Sequence, residues 1–89
     1  MIDIDHFKQV NDVYGHLMGD QVIQFVAEKL KENIRTSDLL VRYGGDEFIV
    51  LIENVGMERA LKIAEKIRSE IYEAKSVDNV RCPDLKVSI

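Results

Sequence analysis

Four carboxylates stand in two close pairs: Asp3 and Asp5 near the start of the chain, and Asp46 and Glu47 directly after the glycines Gly44 and Gly45. Acids drawn from two segments are what a Mg²⁺ site requires: a few hard oxygen ligands, with positions left open for phosphate oxygens and water. Two such ions can activate an attacking oxygen and stabilise a leaving one in phosphoryl or nucleotidyl transfer. A turn without side chains also lets a ligand approach the backbone. Taken singly, each feature has a plainer reading. Gly-Gly with neighbouring acids makes a solvated tight turn, and Asp-x-Asp ends a strand in water.

Asn11 and Asp20 form a second candidate pair. A carboxylate that accepts from a ring N–H and an exocyclic amine, with an amide beside it, can read the edge of guanine. Both residue types also cap helices, and spacing alone favours capping, with Asp20 a fair N-cap. Arg35 and Asp38, separated by Thr36 and Ser37, make either an exposed ion pair of little energetic weight or a site where a planar guanidinium clamps a phosphate or a guanine face. His6 and His16 have no partner that spacing identifies, and a structural role suits them better than catalysis.

The elements that must position these residues follow from periodicity. Residues 1–5 alternate Met or Ile with Asp and read as the end of a strand whose beginning is missing, so Met1 is expected to be an internal residue of a longer chain. A short helical or turn segment over residues 6–14 ends at Gly15, and a longer helix is expected from Gly19-Asp20. Val22, Ile23, Val26, Ala27, Leu30 and Ile34 give that helix one apolar stripe. Two runs rich in aliphatic and β-branched residues flank Gly44-Gly45. They predict a hairpin over about residues 39–52, closed by a two-residue turn in which glycine supplies positive φ. A second amphipathic helix over residues 58–74 buries Ala60, Leu61, Ala64, Ile67 and Ile71, and residues 86–89 begin a last strand. The order β-α-β-β-α-β predicts an α+β, ferredoxin-like antiparallel sheet with the helices on one face. Its first and third strands are central neighbours, which would bring Asp3 to the hairpin acids. Many unrelated functions use this fold.

Composition sets bounds. At 89 residues the chain is at most one small domain, and 46% hydrophobic content suits a folded one. A net charge of −4 argues against binding a nucleic-acid polymer through a basic field. It does not argue against a nucleotide, since a bound cation can reverse the field locally. A single cysteine, Cys82, excludes an intrachain disulfide and a cysteine-based zinc site, and it fits a reducing cytoplasm. No run approaches the ~18 apolar residues of a membrane span, and Met1-Ile2-Asp3-Ile4-Asp5 lacks the basic start of a signal peptide.

Six blocks in order closely resemble the GGDEF family of diguanylate cyclase domains. They are Asp3-Ile4-Asp5-His6-Phe7-Lys8, Asn11-Asp12, Gly15-His16, Gly19-Asp20, Arg35-x-x-Asp38 and Arg42-Tyr43-Gly44-Gly45-Asp46-Glu47-Phe48. Val87-Ser88-Ile89 looks like the family's next strand. The resemblance is to part of the domain: its opening segment and its final helix and strand are not in the sequence. It implies a nucleotidyl-cyclase or palm-like fold and condensation of two GTP into cyclic di-GMP, with release of two pyrophosphates. Each 3′-hydroxyl attacks the other GTP's α-phosphate across a homodimer. On this resemblance Asp3, Asp46 and Glu47, with the carbonyl of Ile4, hold two Mg²⁺ or Mn²⁺ ions, and Asp46 or Glu47 draws off the 3′-hydroxyl proton. Amides around Phe7 and Lys8 hold the terminal phosphates, Gly44 and Gly45 make room for the nucleotide, and Asn11 and Asp20 read guanine. Arg35 and Asp38, with Arg42 as a further candidate, match the family's inhibitory site for cyclic di-GMP. A sensor or receiver domain is expected in the parent chain. The location is expected to be the cytoplasm, or the cytoplasmic part of a membrane-bound sensor. The alternative is a non-catalytic module that binds GTP or cyclic di-GMP and regulates a neighbour; a dimerisation fragment without a retained site is a further one.

Overall fold

Ile2 and Ile4 point one way from the first strand and Asp3 the other, and this alternation sets the architecture. In the computed structural model, residues 1–74 are described in full, followed by the strand backbones at 76–77, 80–81 and 87–88. The order is β1 (Ile2–Ile4), α1 (Phe7–Tyr14), α2 (His16–Asn33), β2 (Leu39–Arg42), β3 (Glu47–Leu51), α3 (Met57–Ala74), β4 (Ser76–Val77), β5 (Val80–Arg81) and β6 (Val87–Ser88). Four strands form an antiparallel sheet in the order β2-β3-β1-β6, while β4 and β5 pair separately. The first and third strands are central neighbours, as the ferredoxin-like reading requires. The small β4–β5 ladder was not expected. Cys82, Pro83, Lys86 and Ile89 lie outside the described residues.

The core lies on one face of the sheet. Ile2, Ile4 and Phe48 meet Met18, Val22, Ile23, Val26 and Leu30 of α2 and Ile67 and Ile71 of α3. Asp3, Leu39, Val41 and Leu51 are exposed. No buried polar or charged residue interrupts the core among the described residues, so its cohesion is apolar burial.

Two expectations about the helices are corrected. The long helix starts at His16, not at Gly19-Asp20, so Asp20 lies inside it and caps nothing. The break falls at Gly15, whose φ of +91° is open to glycine and strained for other residues. Its amide closes α1 by donating to the Asn11 carbonyl at 2.8 Å. Gly19 instead marks a close helix crossing. A Cβ there would stand 1.7 Å from Asn11 Oδ1 and 3.3 Å from Phe7 Cζ. Ile34 leaves the helix in an extended conformation. On α3, Leu61 was expected inside and is 61% exposed, whereas Ile67 and Ile71 are fully buried. The stripe that faces the sheet is narrower than the apolar pattern of the sequence.

Candidate functional site

The hairpin tip is built by backbone and arginine together. Arg42 and Phe48 are the last strand pair, after which the amides of Tyr43 and Gly44 both donate to the Glu47 carbonyl, at 2.9 and 3.3 Å. The Arg42 side chain crosses the loop, Nε donating to the Gly44 carbonyl at 3.2 Å and Nη2 to the Gly45 carbonyl at 2.7 Å. The connection is therefore longer than the two-residue turn expected, and neither Gly44 nor Gly45 has positive φ. The fork of Arg42 holds two loop carbonyls, which supports an open loop that a primed turn would not need. A Cβ on Gly45 meets nothing within 4 Å, and one on Gly44 would meet Glu47 Oε1 at 2.9 Å.

The fold brings this tip to the end of β1. Asp3 lies opposite Glu47, and the Ile4 amide donates to the Asp46 carbonyl at 3.0 Å. Loss of solvation raises the Asp3 carboxyl above its ordinary value, and so do the charge and hydrogen bonding of Asp46 and the charge of Asp5. Two of the three predicted acids, Asp3 and Asp46, thus converge. Glu47 folds its carboxylate back over Gly44. Among the described residues no group of three Asp, Glu, His or Cys side chains is drawn together tightly enough to hold an ion unaided. The donors still suit a hard divalent cation: all are oxygens, and a cation would relieve the repulsion by Asp46 and Asp5 that adds to desolvation in raising Asp3.

Only Asp5 and His6 separate β1 from α1, so the start of α1 lies beside the acid pair. His6 occupies the cap position with φ 56° and makes no side-chain capping bond. The first amides of a helix, here from Phe7 onward, have no partner within it and suit an anion. Lys8 is exposed there, and half-buried Phe7 packs beneath Gly19. Asn11 sits against Gly19, next to exposed Asp20, and its buried Oδ1 has no hydrogen-bond partner. An unpaired buried acceptor at this point suits a ligand that donates.

Arg35 and Asp38 form a built loop in which the Arg35 side chain stays 51% exposed. Asp38 Oδ2 accepts from the Arg35 amide at 2.8 Å and from Nε at 3.4 Å, and Oδ1 accepts from Nη2 at 3.2 Å. Nη2 also donates to the Glu53 carbonyl, tying this loop to the one that enters α3. The Asp38 side chain is only 2% exposed, and the amide and guanidinium of Arg35 hold its carboxyl below the usual range. Arg42 lies at the far end of β2, at the hairpin tip, and not with this pair. Sequence reasoning missed the loop-clamping part of Arg42 and the crossing at Gly19. A glycine inside a helical apolar pattern was the available signal for the second.

The family model described as Diguanylate cyclase, GGDEF domain, matches residues 1–89. Diguanylate cyclase A of Treponema denticola is 48% identical over 89 residues, covering 100% of this chain and 24% of that protein. Diguanylate cyclase DosC of Escherichia coli is 41% identical over 75 residues, covering 84% of this chain and 16% of its own length. Among solved structures, the GGDEF domain of DgcB from Caulobacter crescentus in complex with c-di-GMP superposes with a TM-score of 0.90 at 33% identity, over 98% of this chain and 53% of that one. The active GGEEF domain of a diguanylate cyclase from Vibrio cholerae gives 0.85 at 37% identity, over 97% and 54%. The chain spans about a quarter or less of the relatives it matches and about half of these solved domains. Motifs, sheet order and these likenesses agree, and the chain belongs to the GGDEF family of diguanylate cyclase domains.

Proposed function

We propose that the parent protein condenses two GTP into cyclic di-GMP, two copies of the domain facing each other with one GTP apiece. The observation that carries this reading is the convergence of Asp3 and Asp46 beside the uncapped start of α1. Asp3, Asp46, Glu47 and the Ile4 carbonyl are the residues that would hold divalent Mg²⁺ or Mn²⁺. When bound, such ions neutralise phosphate charge and lower the pKa of the attacking hydroxyl. The amides at Phe7 and Lys8 bind the terminal phosphates, and Asn11 with Asp20 accepts from the guanine N–H groups. Gly44 and Gly45 leave the nucleotide room, while Arg42 keeps their loop in shape. The proton of each 3′-hydroxyl goes to a carboxylate of the Asp46–Glu47 pair as the oxygen bonds to the partner's α-phosphorus, and pyrophosphate leaves. Cyclic di-GMP binds again at Arg35 and Asp38 and restrains the enzyme. The names of the relatives and the ligand of the Caulobacter domain support the substrate class. No helix among the described residues is long and apolar enough to cross a membrane, and a cytoplasmic site gives access to GTP.

The test uses the full-length parent with GTP and Mg²⁺, beside an Asp46→Ala/Glu47→Ala variant, with product resolved chromatographically. The parent is expected to form cyclic di-GMP and the variant to lose formation by on the order of a hundredfold or more. A dimerised parent that binds GTP yet forms no product would overturn catalysis in favour of the regulatory module.

A further inference from the structure

Four residues of the two crossing helices stand around one short stretch of α2. Gly15, with its φ of +91°, turns the chain so that His16 is the first residue of that helix. Gly19 and Asp20 follow His16 at three and four positions, the spacing at which side chains share a helix surface. Helical side chains lean toward the N-terminus, so Asp20 lies back over the turn that His16 begins. From α1, Asn11 rests on Gly19 with its buried Oδ1 unpaired. His16 and Asp20 are both exposed, and no hydrogen bond or ion pair among the described residues holds the His16 ring. Asn11 and Asp20 offer oxygens to the N–H groups of a guanine. That base also carries two acceptors, O6 and N7, which need donors. An imidazole has at least one ring N–H whatever its tautomer or charge. His6, the other histidine, stands before α1, beside the acid pair.

We infer that His16 is a specificity-determining residue for the nucleotide base, its ring N–H donating to the O6–N7 edge of guanine while Asn11 and Asp20 take the N–H groups. The role rests on the guanine-reading assignment of Asn11 and Asp20 and adds to it the acceptor side of the same base. A base with an amine at position 6, as in adenine, presents a donor to that ring N–H and is disfavoured, because two donors then face each other.

Full-length parent, His16→Ala, His16→Gln and Asn11→Ala/Asp20→Ala are titrated by calorimetry with GDP, IDP, 6-thio-GDP and 7-deaza-GDP, diphosphates that present the base without a pyrophosphate to release. His16→Ala is expected to weaken GDP binding about fivefold, the loss of one neutral hydrogen bond. His16→Gln keeps an N–H donor and should recover part of it. IDP retains O6 and N7 and lacks only the 2-amino group, so the His16→Ala penalty should persist in full. Of 6-thio-GDP, with a poor acceptor at position 6, and 7-deaza-GDP, with carbon at position 7, the one that lacks the acceptor His16 engages should show no penalty. An equal penalty against all four nucleotides, with or without a lower thermal midpoint, overturns the inference and leaves His16 a structural residue. Unaltered GDP binding in His16→Ala beside lost binding in Asn11→Ala/Asp20→Ala overturns the part of His16 alone. Unaltered binding in both overturns the guanine-reading assignment itself.

Discussion

Asp38 shows how much one side chain can be asked to hold. It receives the Arg35 amide and two guanidinium contacts while only 2% of it meets solvent. Those donors favour its charged form and lower its pKa from the ordinary 3.8. A depressed folded-state value adds stability that is complete above the unfolded pKa and disappears as pH falls through the folded one. Asp38→Asn is therefore expected to lower the melting temperature at pH 7, and the difference should shrink as pH falls through the depressed folded-state pKa. Melting temperatures of both proteins across that range check the sign. A constant difference at all pH values would mean that lost packing, not lost charge, sets the effect. Asp3 has the opposite character. Desolvation and Asp46 raise its pKa, so its charged form is less favoured than that of a free aspartate.

Between elements, the crossing of α1 and α2 is the tightest constraint around the site. Gly15 allows the turn between the helices, and Gly19 allows Asn11 and Phe7 to lie against the second helix. Gly19→Ala would set a methyl group 1.7 Å from Asn11 Oδ1, so the Asn11 side chain must leave or the helices must part. Overpacking of this kind costs about 1–3 kcal/mol. The gain in helix propensity from Gly to Ala, up to about 1 kcal/mol, offsets only part of it. Urea denaturation should show net destabilisation, and GTP affinity should fall further than stability does, because Asn11 is the group displaced. A variant as stable and as tight-binding as the parent would remove Asn11 from the guanine site.

For the whole molecule, stability rests on one small apolar core. Ile71 is fully buried between α3 and the rest of the cluster. Ile71→Ala is expected to cost about 2–5 kcal/mol, a large share of what a domain of this size possesses. Urea midpoints of the full-length parent and variant measure it, and a shift below about 1 kcal/mol would mean that the site collapses around the smaller side chain. Leu39, Val41, Leu51 and Leu61 remain exposed on the same molecule. Apolar residues in the sequence therefore mark the core less narrowly than the two isoleucines of α3 do.

The sequence by itself determined the order of the core elements, though not the β4–β5 ladder, the central place of β1 beside β3, and the family, because apolar periodicity and six spaced motifs are local properties of a chain. It also brought Asp3 to both hairpin acids, Asp46 and Glu47, of which Asp46 converges with it in the structure. The tertiary structure decided what depends on distance between segments. The long helix begins at Gly15–His16 with Gly19 inside it at the crossing, and Arg42 holds the carbonyls of Gly44 and Gly45 at the hairpin tip. It also turned Glu47 over the loop and left the Asp38 side chain only 2% exposed. Periodicity can say which face a residue occupies, but only packing fixes which backbone groups and charges a side chain meets there.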